Sequence, residues 1–195
     1  MSEKEILEVD FLFVGAGPAS LSSAIALKNA IDQHNQTSDQ PIDEPMIVVI
    51  EKAAELGAHQ ISGSVINPEP LSEIIPDYMD KGCPFESPVT TESVRFLTKS
   101  SSFSFPILPP QFHNKGNYVA SLSKFTAWLG EQAMEKGIEI FPGFAGVEVL
   151  YDGHRVIGVR TGDKGRDANG NPKANFEPGM DIHAKCTVFG EGVRG

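Results

Sequence analysis

The clearest patterns of apolar and polar positions lie toward the two ends of the chain. Val9–Val14 is an apolar run around Asp10 that stops at glycine, the pattern of a buried parallel strand. From Pro18 to about Gln33, Leu21, Ala24, Ile25 and Lys28 recur at helical spacing. Pro18 falls in the first turn, where its missing N–H is no loss. The polar residues Asp32–Pro45 predict a long loop, and Met46–Ile50 a second strand closed by Glu51. Ser123 opens another helix, with Phe125, Trp128, Leu129, Gln132 and Ala133 at helical spacing and Gly137 as its stop. Ile138–Phe141 reads as a third strand. Gly146–Tyr151 and Val156–Thr161 flank Asp152-Gly153, a strong hairpin signal. The polar, glycine-rich stretch 162–179 predicts an extended hairpin tip, and Asp181–Phe189 a last strand running into Gly190-Glu191-Gly192.

Between these patterned ends, Ala53–Gly116 holds no period for long and is rich in Pro, Gly and Ser. Such a stretch is expected to leave the core as excursions, often around a ligand. The fold class that follows is α/β: a Rossmann-like βαβ core with this loop-rich region inserted and a small β-hairpin layer.

Composition narrows the chemistry. A net charge of −10 without a Lys/Arg cluster argues against a nucleic-acid partner held by its phosphates. Cys83 and Cys186 form no C-x-x-C pair and have no His/Cys cluster around them, so alone they build neither a zinc site nor a cysteine-ligated cluster. The acidic Met1–Asp10 shows no secretory or transit pattern, and no apolar run reaches the roughly 18–20 residues of a spanning helix. The sequence stops inside a glycine-rich turn just after a strand, as expected of a piece of a longer protein.

Val14-Gly15-Ala16-Gly17-Pro18-Ala19-Ser20 joins the first strand to the first helix. A tight turn there gathers backbone N–H groups and the positive end of the helix dipole at one point, which suits a pyrophosphate. Gly15 permits the turn, Gly17 lets a phosphate approach the backbone, and Ser20 stands where G-x-G-x-x-G has its third glycine. Glu51 is placed to accept hydrogen bonds from adenosine ribose hydroxyls. The polar loop explains why it lies further on than the usual spacing of about 20 residues. A turn plus an exposed carboxylate is the plainer alternative. Gly190, Glu191 and Gly192 are either a turn after a buried strand or a counterpart of the Gly-Asp-Gly-like return that flavoproteins make to the phosphates and ribityl chain of FAD.

Taken together, these residues resemble the electron-transfer-flavoprotein–ubiquinone oxidoreductase family along nearly the whole chain. The resemblance rests on Phe13–Ala19, Glu51-Lys52-Ala53-Ala54, Gly57-Ala58-His59-Gln60-Ile61-Ser62-Gly63, Pro106–Pro109, Gly116-Asn117-Tyr118, Trp128–Ala133 and Phe189–Gly192. The first motif is common to FAD-binding relatives, whereas Gly57–Gly63 and Trp128–Ala133 are more specific. Ser20 departs from the family, which usually has glycine there. The resemblance implies an FAD site on Gly15, Ala16, Gly17, Pro18, Ala19, Ser20, Glu51, Lys52, His59, Ser62, Gly63, Val147, Gly190, Glu191 and Gly192. His59, Ser62 or Gly63 would tune the isoalloxazine by hydrogen bonding, or His59 is merely structural. Val147 would lay its backbone on the adenine, or is only a core strand residue. Trp128 is expected in the core rather than as an electron relay.

The family's reaction takes electrons from reduced electron-transfer flavoprotein and passes them through FAD and a [4Fe–4S] cluster to ubiquinone. The resemblance implies that residues 1–195 are an incomplete FAD domain, with the excursion 53–116 inserted in it. Ubiquinone-binding and ferredoxin-like cluster domains are expected beyond residue 195, and the piece alone is expected to be inactive. A related FAD-dependent reductase or hydroxylase, geranylgeranyl-reductase-like, and a non-catalytic nucleotide-binding module are the alternatives. A peripheral place on the cytoplasmic face of a bacterial inner membrane is expected. Leu71, Ile74 and Ile75, joined by Ile61, Val65 and Ile66, form the candidate lipid-facing surface; packing of that face on other domains is the competing reading.

Overall fold

The computed structural model describes residues 5–61, 63–166 and 170–192. In chain order the elements are β1 (Ile6–Val14), α1 (Pro18–Thr37), β2 (Ile47–Glu51), β3 (Ser64–Ile66), α2 (Glu69–Ile74), β4 (Phe85–Pro88), β5 (Arg95–Leu97) and β6 (Ser102–Ser104). A single 3-10 turn at Pro110–Phe112 follows. Then come β7 (Tyr118–Ala120), α3 (Leu122–Glu135), β8 (Glu139–Pro142), β9 (Gly146–Asp152), β10 (Arg155–Thr161), β11 (Lys164–Arg166), β12 (Pro172–Glu177) and β13 (Asp181–Phe189). The elements form two compact units, one of the described residues of 1–60 and 126–195, the other of those of 61–125.

The first unit is built on a six-stranded sheet ordered β8-β2-β1-β13-β10-β9. β8, β2, β1 and β13 run parallel, while β10 and β9 close one edge antiparallel. Parallel neighbours need a crossover, which α1 supplies between β1 and β2. α1 turns Leu21, Ala24, Ile25 and Ile31 inward and packs on those two strands. Leu12, Val14, Val48, Ile50, Val159 and Ile182 share one core cluster, and Phe13, Ile47 and Val49, their alternates, are buried as well. Burial on both faces is why these strands read as continuous apolar runs rather than alternating ones. α1 continues through Thr37, so the connection to β2 is shorter than the polar residues from Asp32 suggest. Lys28 explains the extension: its ammonium holds Asp32 at 2.6 Å, one helical turn on, and Glu44 at 2.9 Å. At the other edge Arg160 forks onto Asp181, with Nε–Oδ1 at 2.7 Å, and also holds Glu148, stitching β10, β13 and β9 together.

The registers decide where the site falls. Val14 lies opposite Ile50 on one side and Phe189 on the other, so β1, β2 and β13 end level. Their carboxyl ends deliver Gly15, Glu51 and Gly190 to the same edge of the sheet, the usual ligand edge of open α/β sheets.

The second unit carries an antiparallel sheet ordered β3-β7-β4 and a hairpin β5-β6. Phe85 stacks on Tyr118 at 4.7 Å between centroids and lies parallel to Phe125 at 6.0 Å, and Tyr78 meets Phe85 edge-on. The face expected to meet lipid is divided: Ile61 and Val65 are 83% and 47% exposed, whereas its helical part turns inward. Leu71 and Ile75 are only 5% and 3% exposed, because the short α2 turns them into the unit's interior. Cys83 is partly buried there, and burial pushes its thiol up to about 12.

Candidate functional site

The turn after β1 is held from three sides. Gly15 donates its N–H to the Ile50 carbonyl at 2.8 Å, and Gly190 donates to the Val14 carbonyl at 2.8 Å. Gly15 has φ +95°, and a Cβ there would lie 2.8 Å from the Gly190 carbonyl oxygen. Neither the conformation nor the space admits a side chain. The third hold is Glu51: one carboxylate oxygen accepts from the Ala16 N–H at 2.9 Å, the other from the Ala53 N–H at 2.8 Å. Each oxygen keeps a second lone-pair site, so the carboxylate that braces the turn can still accept a hydroxyl.

Gly17 is a different kind of glycine. It caps α1 in extended backbone with φ −74°, a value any residue adopts, and no side chain caps the helix in its place. Among the described residues a Cβ there would meet only Gln60 Nε2, at 3.9 Å. The fold gives no reason to forbid a side chain; the open space over the helix start does, if a ligand fills it. Pro18 occupies the first helical position, and α1 points its positive end at that space.

These groups line one cleft of about 520 Å³. Gly15, Gly17, Pro18, Ala19, Glu51, Lys52, His59, Gly190, Glu191 and Gly192 all reach it, as the sequence reading requires of a common site. Ala16 takes part through its N–H, its own side chain being buried. Ser20 lies beneath the cleft at 2% exposure rather than on its wall. Its hydroxyl has no hydrogen-bond partner among the described residues and fills the position that a Cβ on Gly190 would need, at 1.8 Å. Serine in place of the third glycine thus puts its hydroxyl where any side chain at 190 would have to go. Val147 is 62% exposed and lines a neighbouring cavity of about 560 Å³, which shares Val14, Gly146, Glu191 and Gly192 with the cleft. Gly63 belongs to the second unit and is absent from the cleft wall; Ser62 lies outside the described residues. Trp128 is buried at 6% exposure.

Gln60, Phe144, Ala145 and Gly146 line the cleft without having been singled out as site residues. Phe144 arrives because its N–H bonds the Glu51 carbonyl at 2.8 Å, a tertiary pairing that no periodicity announces. Gly146 carried a signal: a Cβ there would come 3.1 Å from Val14 Cγ1, so a glycine opening β9 marks a close approach.

The sheet order, the glycine turn at the carboxyl ends and the acidic end of β2 define the Rossmann-like fold of FAD-binding flavoproteins. Solved structures agree: the flavin-dependent monooxygenase PieE, solved with FAD and substrate, superposes on 96% of this chain and 31% of its own with a TM-score of 0.63 at 16% identity. A geranylgeranyl bacteriochlorophyll reductase-like protein from Thermoplasma acidophilum covers 95% of this chain and 39% of its own, with a TM-score of 0.59 at 18% identity. At such identities the likeness is one of fold. No family model matches the chain.

By sequence the chain is similar along nearly its whole length to proteins of the electron transfer flavoprotein-ubiquinone oxidoreductase family. It is 46% identical to the mitochondrial protein of that name from Arabidopsis thaliana, over 98% of this chain and 29% of the relative. A probable member from Acinetobacter baylyi is 41% identical over 99% of this chain and 34% of its own length. The Homo sapiens mitochondrial protein is 41% identical over 96% and 30%. The chain therefore spans about three tenths of the length of the curated relatives it matches.

Proposed function

We propose that this segment binds FAD across the cleft at the ends of β1, β2 and β13. The protein it is part of would then take electrons from reduced electron-transfer flavoprotein and deliver them to ubiquinone. The observation that carries the FAD assignment is Gly17: a helix start kept bare where, among the described residues, only Gln60 comes within 4 Å of an added Cβ, level with a carboxylate that has acceptor capacity to spare. The partners follow from the relatives' names.

Each residue has a task. The backbone N–H groups at the start of α1 face the pyrophosphate with the helix dipole behind them. Glu51 accepts from the adenosine ribose and keeps the turn rigid through Ala16, and its charge disfavours a 2′-phosphate, so NADP is rejected. Gly190–Gly192 bring backbone to the same space from β13. FAD, when bound, supplies the redox chemistry itself. His59, on the cleft wall, is placed to adjust the cofactor by hydrogen bonding. A [4Fe–4S] cluster does not fit this segment: it has two cysteines where four thiolates are needed, and no group of three metal-ligating side chains occurs among the described residues. Cluster ligands and most of the quinone pocket would come from the rest of the protein. Among the described residues no helix is long and apolar enough to cross a membrane. Peripheral contact remains the proposed access to a lipid-borne quinone, with the exposed Ile61 and Val65 rather than the buried Leu71 and Ile75 as its candidates in this segment.

The direct test is quinone-dependent oxidation of reduced electron-transfer flavoprotein by the full-length protein, with one FAD per chain. Failure to turn over with a full complement of FAD would favour the related reductase or hydroxylase. Glu51→Ala should weaken FAD by about 1.5–3 kcal/mol, the range for hydrogen bonds to a charged group. An unchanged dissociation constant would remove Glu51 from the site.

A further inference from the structure

Resting on the FAD assignment, we propose that Phe144 and Lys164 together form the adenine wall of the cleft and set the protein's preference for an adenine dinucleotide over a mononucleotide. The pyrophosphate belongs at the start of α1 and the ribose at Glu51. Continuing in that direction, the base must lie on the far side of Glu51 from Gly17. Phe144 is there: its N–H bonds the Glu51 carbonyl at 2.8 Å, Gly143 bonds the Ala53 carbonyl at 2.7 Å, and Phe144 lines the cleft. Two consecutive backbone bonds fix this aromatic residue, in the connection between β8 and β9, to the ribose-binding strand end and so set its distance from Glu51.

The ring is further fixed by a cation. Lys164, at the start of β11, places Nζ 3.2 Å from the Phe144 ring centroid, within the range of a cation–π contact. Its stem crosses the turn, since a Cβ on Gly143 would meet Lys164 Cε at 3.7 Å and Nζ at 3.6 Å. Phe141 packs at 5.9 Å from the other side of the turn. A ring with a cation over it is drained of π density, which strengthens its stacking or edge contact with an electron-rich purine. Base–aromatic contacts are tolerant of exact geometry and strong enough to select a ligand that has a base from one that lacks it. The pair also gives the polar hairpin β11–β12 a function, since its Lys164 backs the Phe144 ring that lines the cleft.

The test uses the full-length protein stripped of flavin, with FAD, FMN and ADP as probes. Wild type must first bind FAD; if it does not, the FAD assignment itself fails and the adenine wall with it. Given wild-type binding, Phe144→Leu should raise the FAD and ADP dissociation constants about tenfold, and Lys164→Met about threefold. Lys164→Arg should restore most of the loss. FMN, which has no adenine, should bind all variants as it binds wild type, and unfolding of the flavin-free variants should match wild type within the error of the measurement. FAD and ADP constants unchanged in both variants, or losses equal for FMN and FAD, would overturn the proposal.

Discussion

The two units place their apolar side chains in opposite ways. In the first, Leu12, Val48, Val49, Ile50 and Ile182 are fully buried in a sheet covered on both faces. In the second, Phe96, Leu97, Phe103 and Ile107 are 60%, 72%, 63% and 82% exposed on the hairpin β5–β6 and the segment after it. The first unit thus carries its stability in long parallel strands that also aim the ligand edge. The second has a small aromatic core around Phe85 and leaves much of its apolar surface uncovered. A rigid frame is what a cofactor turn needs, because Gly15, Glu51 and Gly190 act only if three strand ends stay level.

The largest effect expected from this contrast is on stability. Leu12→Ala should cost about 2–5 kcal/mol, the range for buried leucines. Leu97→Ala should fall within about 0.5 kcal/mol of wild type. Chemical denaturation of the two variants measures both, and comparable losses would erase the distinction between the units.

A smaller effect sharpens the account of the frame. Gly190→Ala should destabilise by about 1–3 kcal/mol, because its Cβ would overlap the Ser20 hydroxyl. Ser20→Ala alone should be neutral or stabilising by about 1 kcal/mol, since it removes a buried hydroxyl without a partner. In the double variant most of the Gly190→Ala loss should return. Strictly additive effects would mean that Ser20 and Gly190 do not press on one another.

The smallest effect concerns pH. Lys185 beside Asp10, helped by the Met46 N–H, holds the Asp10 carboxyl below its ordinary value of 3.8. A carboxyl lowered by folding adds stability above its unfolded value and loses it as the pH falls through the folded one. Asp10→Asn should therefore flatten the decline of stability below about pH 4 while leaving its pH dependence near neutrality unchanged. An acid limb identical to wild type would show that this pair on β1 and β13 carries none of it.

The same contrast explains what the sequence revealed. β1 and β2 were legible because burial on both faces forces continuous apolar runs, β13 because it alternates and then turns apolar, and the hairpin β9–β10 because Asp152-Gly153 announces its turn. The strands β3 to β7 have three or four residues each, too few to express a period of two. α2 showed an apolar stripe, but a stripe alone does not tell a lipid from an interior; Leu71 and Ile75 face the interior. Within the site, Gly15, Gly17 and Glu51 were readable from spacing, because backbone geometry dictates those residue types. Phe144 and Gln60 were not, because they reach the cleft by tertiary contacts.

The central claim is that the bare helix start at Gly17 exists for FAD. Gly17→Val in the full-length protein tests it most directly. Among the described residues the new Cβ meets only Gln60, at 3.9 Å, and the backbone there is extended, so the protein should fold as wild type does. Its side chain would fill the space where the pyrophosphate must approach the backbone, so the purified variant should be colourless, with no flavin absorbance and a wild-type unfolding profile. A folded, yellow variant with the flavin content of wild type would contradict the account.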